Sequence, residues 1–123
     1  MKKSIVTLLG AALMGASALV SAHAQDRLYV YVSPDPIGVN AFLQMGQTGA
    51  EAAGEQFGAE VLTFESANAA ARRDNVEAAL NEGADIIMVA GFEFNDIISQ
   101  LAPTAPDTHF LIVDQCIENR PDN

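Results

Sequence analysis

Phe42, Asp114 and the Gly91-Phe92 pair are the residues whose types and positions in this sequence suit chemistry with a small molecule. Phe42 opens a helical pattern directly after the stretch YVYVSPDPIGVN, where Pro34 and Pro36 restrict the backbone. An aromatic ring there is either core or a flat platform for a ligand. Asp114 ends the apolar run that begins at His109, and a carboxylate at such a position either caps the next turn or accepts hydrogen bonds from a ligand. Phe92, within GFEF, suits packing equally well. Ser33, Asp35 and Asn40 share the proline-stiffened loop with the approach to Phe42.

Reactions that need other residue sets find no support. After the first apolar run the chain reads SPDPIG, without the glycines that cradle a dinucleotide, and no Gly-Lys-Ser/Thr phosphate loop occurs. A phosphate-accepting receiver needs an Asp after its third strand and an essential Lys, whereas this chain has Gly91-Phe92 there. No His pair or Cys/His cluster offers metal ligands, and no cofactor is implied. Asp74, Glu77, Glu82 and Asp85 read as a solvated helix face and its exit. Cys116 is the single cysteine and closes no disulfide within the chain. It is expected as a semi-buried thiol near a strand end, with a partner elsewhere or a nucleophilic role as the alternatives.

The elements that must position these residues alternate regularly. Strand-like runs occupy Leu28–Val32, Glu60–Phe64, Asp85–Ala90 and His109–Asp114, and the continuous apolar character of the last two predicts burial on both faces, as in a parallel sheet. In the first helix Val39, Phe42, Gly46, Gly49, Ala53 and Phe57 recur at three- and four-residue steps, which predicts close approach to the sheet at Gly46, Gly49 and Ala53, with Gly58 as the cap. The second helix has Ser66 or Asn68 as its N-cap, Val76, Ala79 and Leu80 as its apolar side and Gly83 as its stop. The third runs from about Asn95 to Ala102 and ends at Pro103. The pattern βαβαβαβ predicts an α/β fold, a doubly wound parallel sheet in the order 2-1-3-4 with helices on both faces. Ligands of such sheets sit outside the carboxyl ends of the strands. That edge comprises Ser33–Asn40, Glu65–Asn68, Gly91–Glu93 and Asp114–Cys116.

Ahead of this domain, Lys2 and Lys3 precede an apolar stretch from Ile5 to Val20, and Ala22-His23-Ala24 supplies a small-x-small cleavage pattern. Residues 1–24 are read as a signal peptide, with export to the periplasm if the source is Gram-negative. No Cys beside the cleavage position indicates a lipid anchor. Removing the leader leaves Arg27, Arg72, Arg73 and Arg120 against 16 acidic residues, a net charge of −12 and no lysine. A surface of that sign repels nucleic acid and anionic lipid, so nucleic acid is not expected as a partner.

Residues 25–123 resemble the first lobe of the basic membrane protein family, the purine-nucleoside-type substrate-binding components of ABC transporters. The resemblance rests on features in order: an Ile37-Gly38…Phe42 entry to a helix carrying Gly-x-Glu-x-Ala (Gly49 to Ala53), Val-x-x-Phe-Glu-Ser (Val61 to Ser66), Asn-x-x-x-Ala-x-x-Glu-Gly-Ala-Asp-Ile-Ile (Asn75 to Ile87), Gly91-Phe92, and Pro-Asp-x-x-Phe-x-x-x-Asp (Pro106 to Asp114). It implies a lobe of the type I periplasmic binding fold. Phe42 would then stack on a nucleobase, Asp114 would hydrogen-bond the ligand, and the Gly91-Phe92 turn would border the cleft. The chain departs from the family where Ser33 replaces an Asp, with Asp35 two places on, and where Leu43 replaces an Asn.

Such proteins close two lobes around the ligand, so residues 25–123 are expected to be the N-terminal lobe alone. The reading that follows is a non-catalytic importer component with two partners, a nucleoside-like small solute and an ABC permease of the inner membrane. A ligand-sensing module for a membrane receptor uses the same fold and is one alternative; a small exported α/β enzyme is another.

Overall fold

A computed structural model describes residues 27–118 and 121–123, so the leader read at residues 1–24 lies outside the described residues. Four parallel strands form one sheet: β1 (Arg27–Ser33), β2 (Ala59–Glu65), β3 (Ile86–Ala90) and β4 (His109–Val113), in the order β2-β1-β3-β4. The helices are α1 (Ala41–Phe57), α2 (Ala69–Asn81) and α3 (Asn95–Leu101), with 3-10 turns at Phe92–Phe94 and Ala102–Thr104. Fold, strand order and crossovers match the α/β reading.

Alternation along each strand makes two cores. Val30 and Val32 of β1 and Ile87 and Val89 of β3 face α2 and α3, where they pack with Val76, Ala79, Phe94 and Ile98. Tyr29, Tyr31, Met88 and Ala90 face the other way, against Ile37 and the α1 residues Leu43 and Ala50. Burying a side chain such as Leu43 stabilises by roughly 1.5–3 kcal/mol. At the amino edge Asp85 is a stitch rather than a solvated acid. Its carboxylate accepts from Leu28 N (2.7 Å), its N–H donates to Leu28 O (2.8 Å), and its carbonyl accepts from His109 N (2.8 Å).

Helix ends follow local chemistry. Gly58 (φ 68°) terminates α1 and returns its N–H to Gly54 O. Asn68, not Ser66, caps α2 by accepting from Ala71 N at 3.0 Å, while Ser66 is buried. Gly83 (φ 78°) turns the chain back into β3.

Two expectations are corrected. First, α1 buries Leu43, Ala50 and Gly54, whereas Val39 is 98% exposed, Phe57 is 54% exposed and Gly49 faces open space. The helix is turned by about one residue, roughly 100°, because Leu43 is the large side chain that finds the sheet. Gly46 and Ala53 keep the approach expected of them: a Cβ at Gly46 would stand 2.5 Å from the Tyr31 hydroxyl, and Ala53 packs half-buried against the core on this face. Second, β4 is not buried on both faces. Phe110 and Ile112 pack against the α2–α3 core, but Leu111 and Val113 stay 51% and 43% exposed. The strand lies at the sheet edge, and α1 covers β1 and β2 and reaches only to β3.

Candidate functional site

The β1–α1 loop begins with Ser33, which is fully buried and donates its hydroxyl to the Asp35 carbonyl at 2.6 Å. Ser33 therefore shapes the loop from beneath. Ile37 sinks its side chain into the core and donates its N–H to Glu65 Oε2 at 2.8 Å. A turn at Gly38 (φ 43°) lets Asn40 N donate to Ile37 O at 2.9 Å, and Gln44 Nε2 holds the Gly38 carbonyl at 2.7 Å. Asn40 then caps α1, its Oδ1 accepting from Phe42 N (3.1 Å) and Leu43 N (3.4 Å). The cap satisfies N–H groups that have no partner within the helix. Leu43 turns inward and Phe42 outward, with its ring 40% exposed.

The same loop is held from β2 and α2. Arg72 Nε donates to Pro34 O at 2.8 Å, and its NH2 group reaches Asp35 Oδ1 at 3.2 Å. Asp35 is thus ion-paired, not an open carboxylate. Ser66 N donates to Ser33 O at 3.2 Å, and Asn75 Nδ2 joins Ser66 Oγ and Glu65 O, each at 3.1 Å. In the sequence Glu65 stands out only as part of the carboxyl edge and of the Val61 to Ser66 motif, Asn75 only as the start of the Asn75 to Ile87 motif, and Arg72 only as one of four arginines; none of them is a candidate site residue there. Glu65 ends β2 and Arg72 lies in the first turn of α2.

At the other half of the edge, Gly91 takes φ 97°, a conformation open to glycine, and donates its N–H to Val113 O at 3.1 Å. This bond joins the Gly91-Phe92 turn to the strand end that carries Asp114. Phe92 is 70% exposed, while Phe94 is the buried aromatic of GFEF. Asp114 is exposed and has φ 68°, the single positive-φ non-glycine among the described residues. Asp tolerates this region better than most side chains, and such backbone outliers cluster at binding sites. Cys116 is exposed rather than semi-buried.

The structure brings Phe42 and the Asp114 strand end to one feature. Phe42, Met45, Met88, Ala90, Leu111 and Val113 border an apolar trough of about 390 Å³ on the α1 side of the sheet. Tyr31 forms its floor; its hydroxyl donates to the Leu43 carbonyl at 3.4 Å, and burial pushes its phenol above the ordinary value of 10.0. Ser33 and Asp35 are drawn into the loop framework, whereas Phe42, Phe92 and Asp114 present surface. Among the described residues no group of three or more His, Cys, Asp or Glu side chains is placed to hold a metal ion. Chemically, this edge offers an aromatic face, backbone polar groups and a carboxylate, a set suited to holding a small polar molecule.

By structure, the chain is similar to a fragment described as a lipoprotein from Peptoclostridium difficile 630, with a TM-score of 0.69 at 16% identity over 80% of this chain and 81% of that one. It is also similar to an ABC transporter solute-binding protein from Aeropyrum pernix K1, with a TM-score of 0.69 at 24% identity over 79% of this chain. This chain spans 27% of the Aeropyrum chain. At these identities the likeness is one of fold. No curated protein matches the chain. The family model described as ABC transporter substrate-binding protein PnrA-like matches residues 27–123, nearly all of the described domain. The chain belongs to the PnrA-like family of ABC transporter substrate-binding proteins.

Proposed function

We propose that residues 25–123 form the N-terminal lobe of an importer's substrate-binding component, exported to the periplasm by a cleaved leader. The lobe presents one wall of a cleft that takes a nucleoside-like solute. A second lobe supplies the opposite wall, and closure around the ligand creates the shape read by the membrane permease.

The observation that supports this reading best is the split at the start of α1. Adjacent residues under one cap go opposite ways, Leu43 into the core at 2% exposure and Phe42 outward at 40%. An aromatic held rigidly at the carboxyl edge of a parallel sheet suits stacking on a flat heterocycle. Asp114, in its strained turn, is assigned the polar end of the ligand, and Gly91 and Phe92 the rim. Asn40 acts beside Phe42 through the cap, and Ser33 and Asp35 act through the loop beneath.

Calorimetry on the complete two-lobed protein tests the reading with inosine, adenosine, adenine and ribose. The expected result is clear preference for the nucleosides over ribose, with little heat from residues 25–123 alone, because one wall buries too little of a ligand. Equal binding of ribose, or tight binding by the single lobe, contradicts it.

A further inference from the structure

We propose that Arg72, acting together with Glu65, is a positioning residue for ligand binding, one that sets Phe42 without touching the ligand. The proposal rests on the nucleoside-site reading for its affinity readout, but its structural content stands separately.

A continuous set of contacts connects the two residues. Arg72 leaves the first turn of α2 and donates from Nε to the Pro34 carbonyl (2.8 Å) and from NH2 to Asp35 Oδ1 (3.2 Å). Its side chain is only 18% exposed, so solvent competes weakly for the bond to the Pro34 carbonyl. Pro34 and Pro36 on either side of Asp35 restrict the backbone, so fixing Pro34 fixes the direction of the chain into Ile37. There Glu65 from β2 takes over, accepting from Ile37 N at 2.8 Å. Ile37 O accepts from Asn40 N at 2.9 Å, and Asn40 Oδ1 accepts from Phe42 N at 3.1 Å. Each link is a hydrogen bond or a proline-restricted residue.

Arg72 suits this task by its chemistry. Guanidinium donates in two directions from one plane, which lets it hold a carbonyl and a carboxylate simultaneously. The salt bridge with Asp35 alone would contribute little, since Asp35 is 56% exposed. The bond to the Pro34 carbonyl is what anchors the loop. The arrangement also gives Asp35 a role different from ligand contact: its carboxylate orients the guanidinium.

The test combines two measurements on the complete two-lobed protein. Hydrogen exchange at the amides of Ile37, Asn40 and Phe42 is expected to accelerate in Arg72→Met and Glu65→Ala, with Val30 to Val32 unchanged. Arg72→Lys is expected to restore part of the protection, because an ammonium replaces one of the two bonds. Inosine affinity is expected to fall about 10-fold in Arg72→Met, the order of coupling between residues of one network. In a Phe42→Ala background the same substitution is expected to change affinity hardly at all. Unchanged exchange at Ile37 to Phe42 overturns the positioning role even if inosine binds no form of the protein. Full additivity of the Arg72 and Phe42 substitutions overturns the route through Phe42. Absence of inosine binding to the unsubstituted protein, with accelerated exchange in the variants, counts against the nucleoside reading and supports the positioning of the loop by Arg72 and Glu65.

Discussion

Asn40 Oδ1 accepts the backbone N–H of Phe42 at 3.1 Å, so the residue that starts α1 also fixes where the aromatic ring leaves it. Cap and platform are one local structure. Replacing Asn40 by Ala removes the acceptor for two helix-start donors and is expected to destabilise the fold by about 1 kcal/mol. Asn40→Asp keeps an acceptor and is expected to retain most of the stability. Chemical denaturation of the three proteins checks both; equal midpoints for Asn40→Ala and the parent contradict the cap's contribution.

Two glycines of α1 make opposite predictions. A methyl at Gly46 collides with the Tyr31 ring, whose hydroxyl stands 2.5 Å from the added carbon, so Gly46→Ala is expected to cost about 1–3 kcal/mol. A methyl at Gly49 meets nothing within 4 Å, and Gly49→Ala is expected to stabilise by about 0.5–1 kcal/mol through helix propensity. Melting temperatures that move in the same direction would show that α1 is rotated differently on the sheet.

What the sequence made legible follows from what is local. Short runs rich in Val, Ile, Leu, Tyr and Phe marked all four strands to within a residue or two of their ends, and Asn68, Gly58 and Gly83 stood where their cap and turn chemistry places them. The α1 face was misread because Gly46, Gly49, Ala50 and Ala53 carry almost no amphipathic contrast, which left Phe42 and Phe57 to outweigh Leu43. Exposure of β4 was hidden because lying at an edge is a property of the sheet, not of HFLIV. The contacts of Glu65 and Arg72 with the β1–α1 loop were invisible for another reason: they join partners 28 and 38 positions apart, and no periodicity records such pairings.

Tyr31 gives the fold an alkaline limit. Its phenol is raised above 10.0 by burial. Unfolding lets it ionise at the ordinary value, so above about pH 10 the unfolded chain holds fewer protons than the folded one and stability falls as pH rises. Below that value both states are protonated and the contribution is fully present. Tyr31→Phe keeps the ring and removes the titration. The loss of melting temperature above about pH 10 is expected to be smaller in the variant; an identical loss assigns the alkaline limit to other groups.

Asp114 separates binding from stability. Asn shares the tolerance of Asp for the left-handed region, so Asp114→Asn is expected to leave the melting temperature nearly unchanged. Loss of the charged acceptor is expected to weaken nucleoside binding by about 1.5–3 kcal/mol. Unaltered affinity restricts Asp114 to shaping the turn at φ 68°.

The most direct measurement is calorimetric titration of inosine into the two-lobed protein proposed above and its Phe42→Ala variant, with melting temperatures taken in parallel. Stacking on an aromatic contributes on the order of 1–3 kcal/mol per base, so affinity is expected to fall about 10-fold to 100-fold. The melting temperature is expected to move little, because the ring is 40% exposed and its truncation removes far less packing than the roughly 3–5 kcal/mol of a fully buried Phe. Loss of stability with unchanged affinity in the folded fraction would make Phe42 a packing residue and contradict the proposed site.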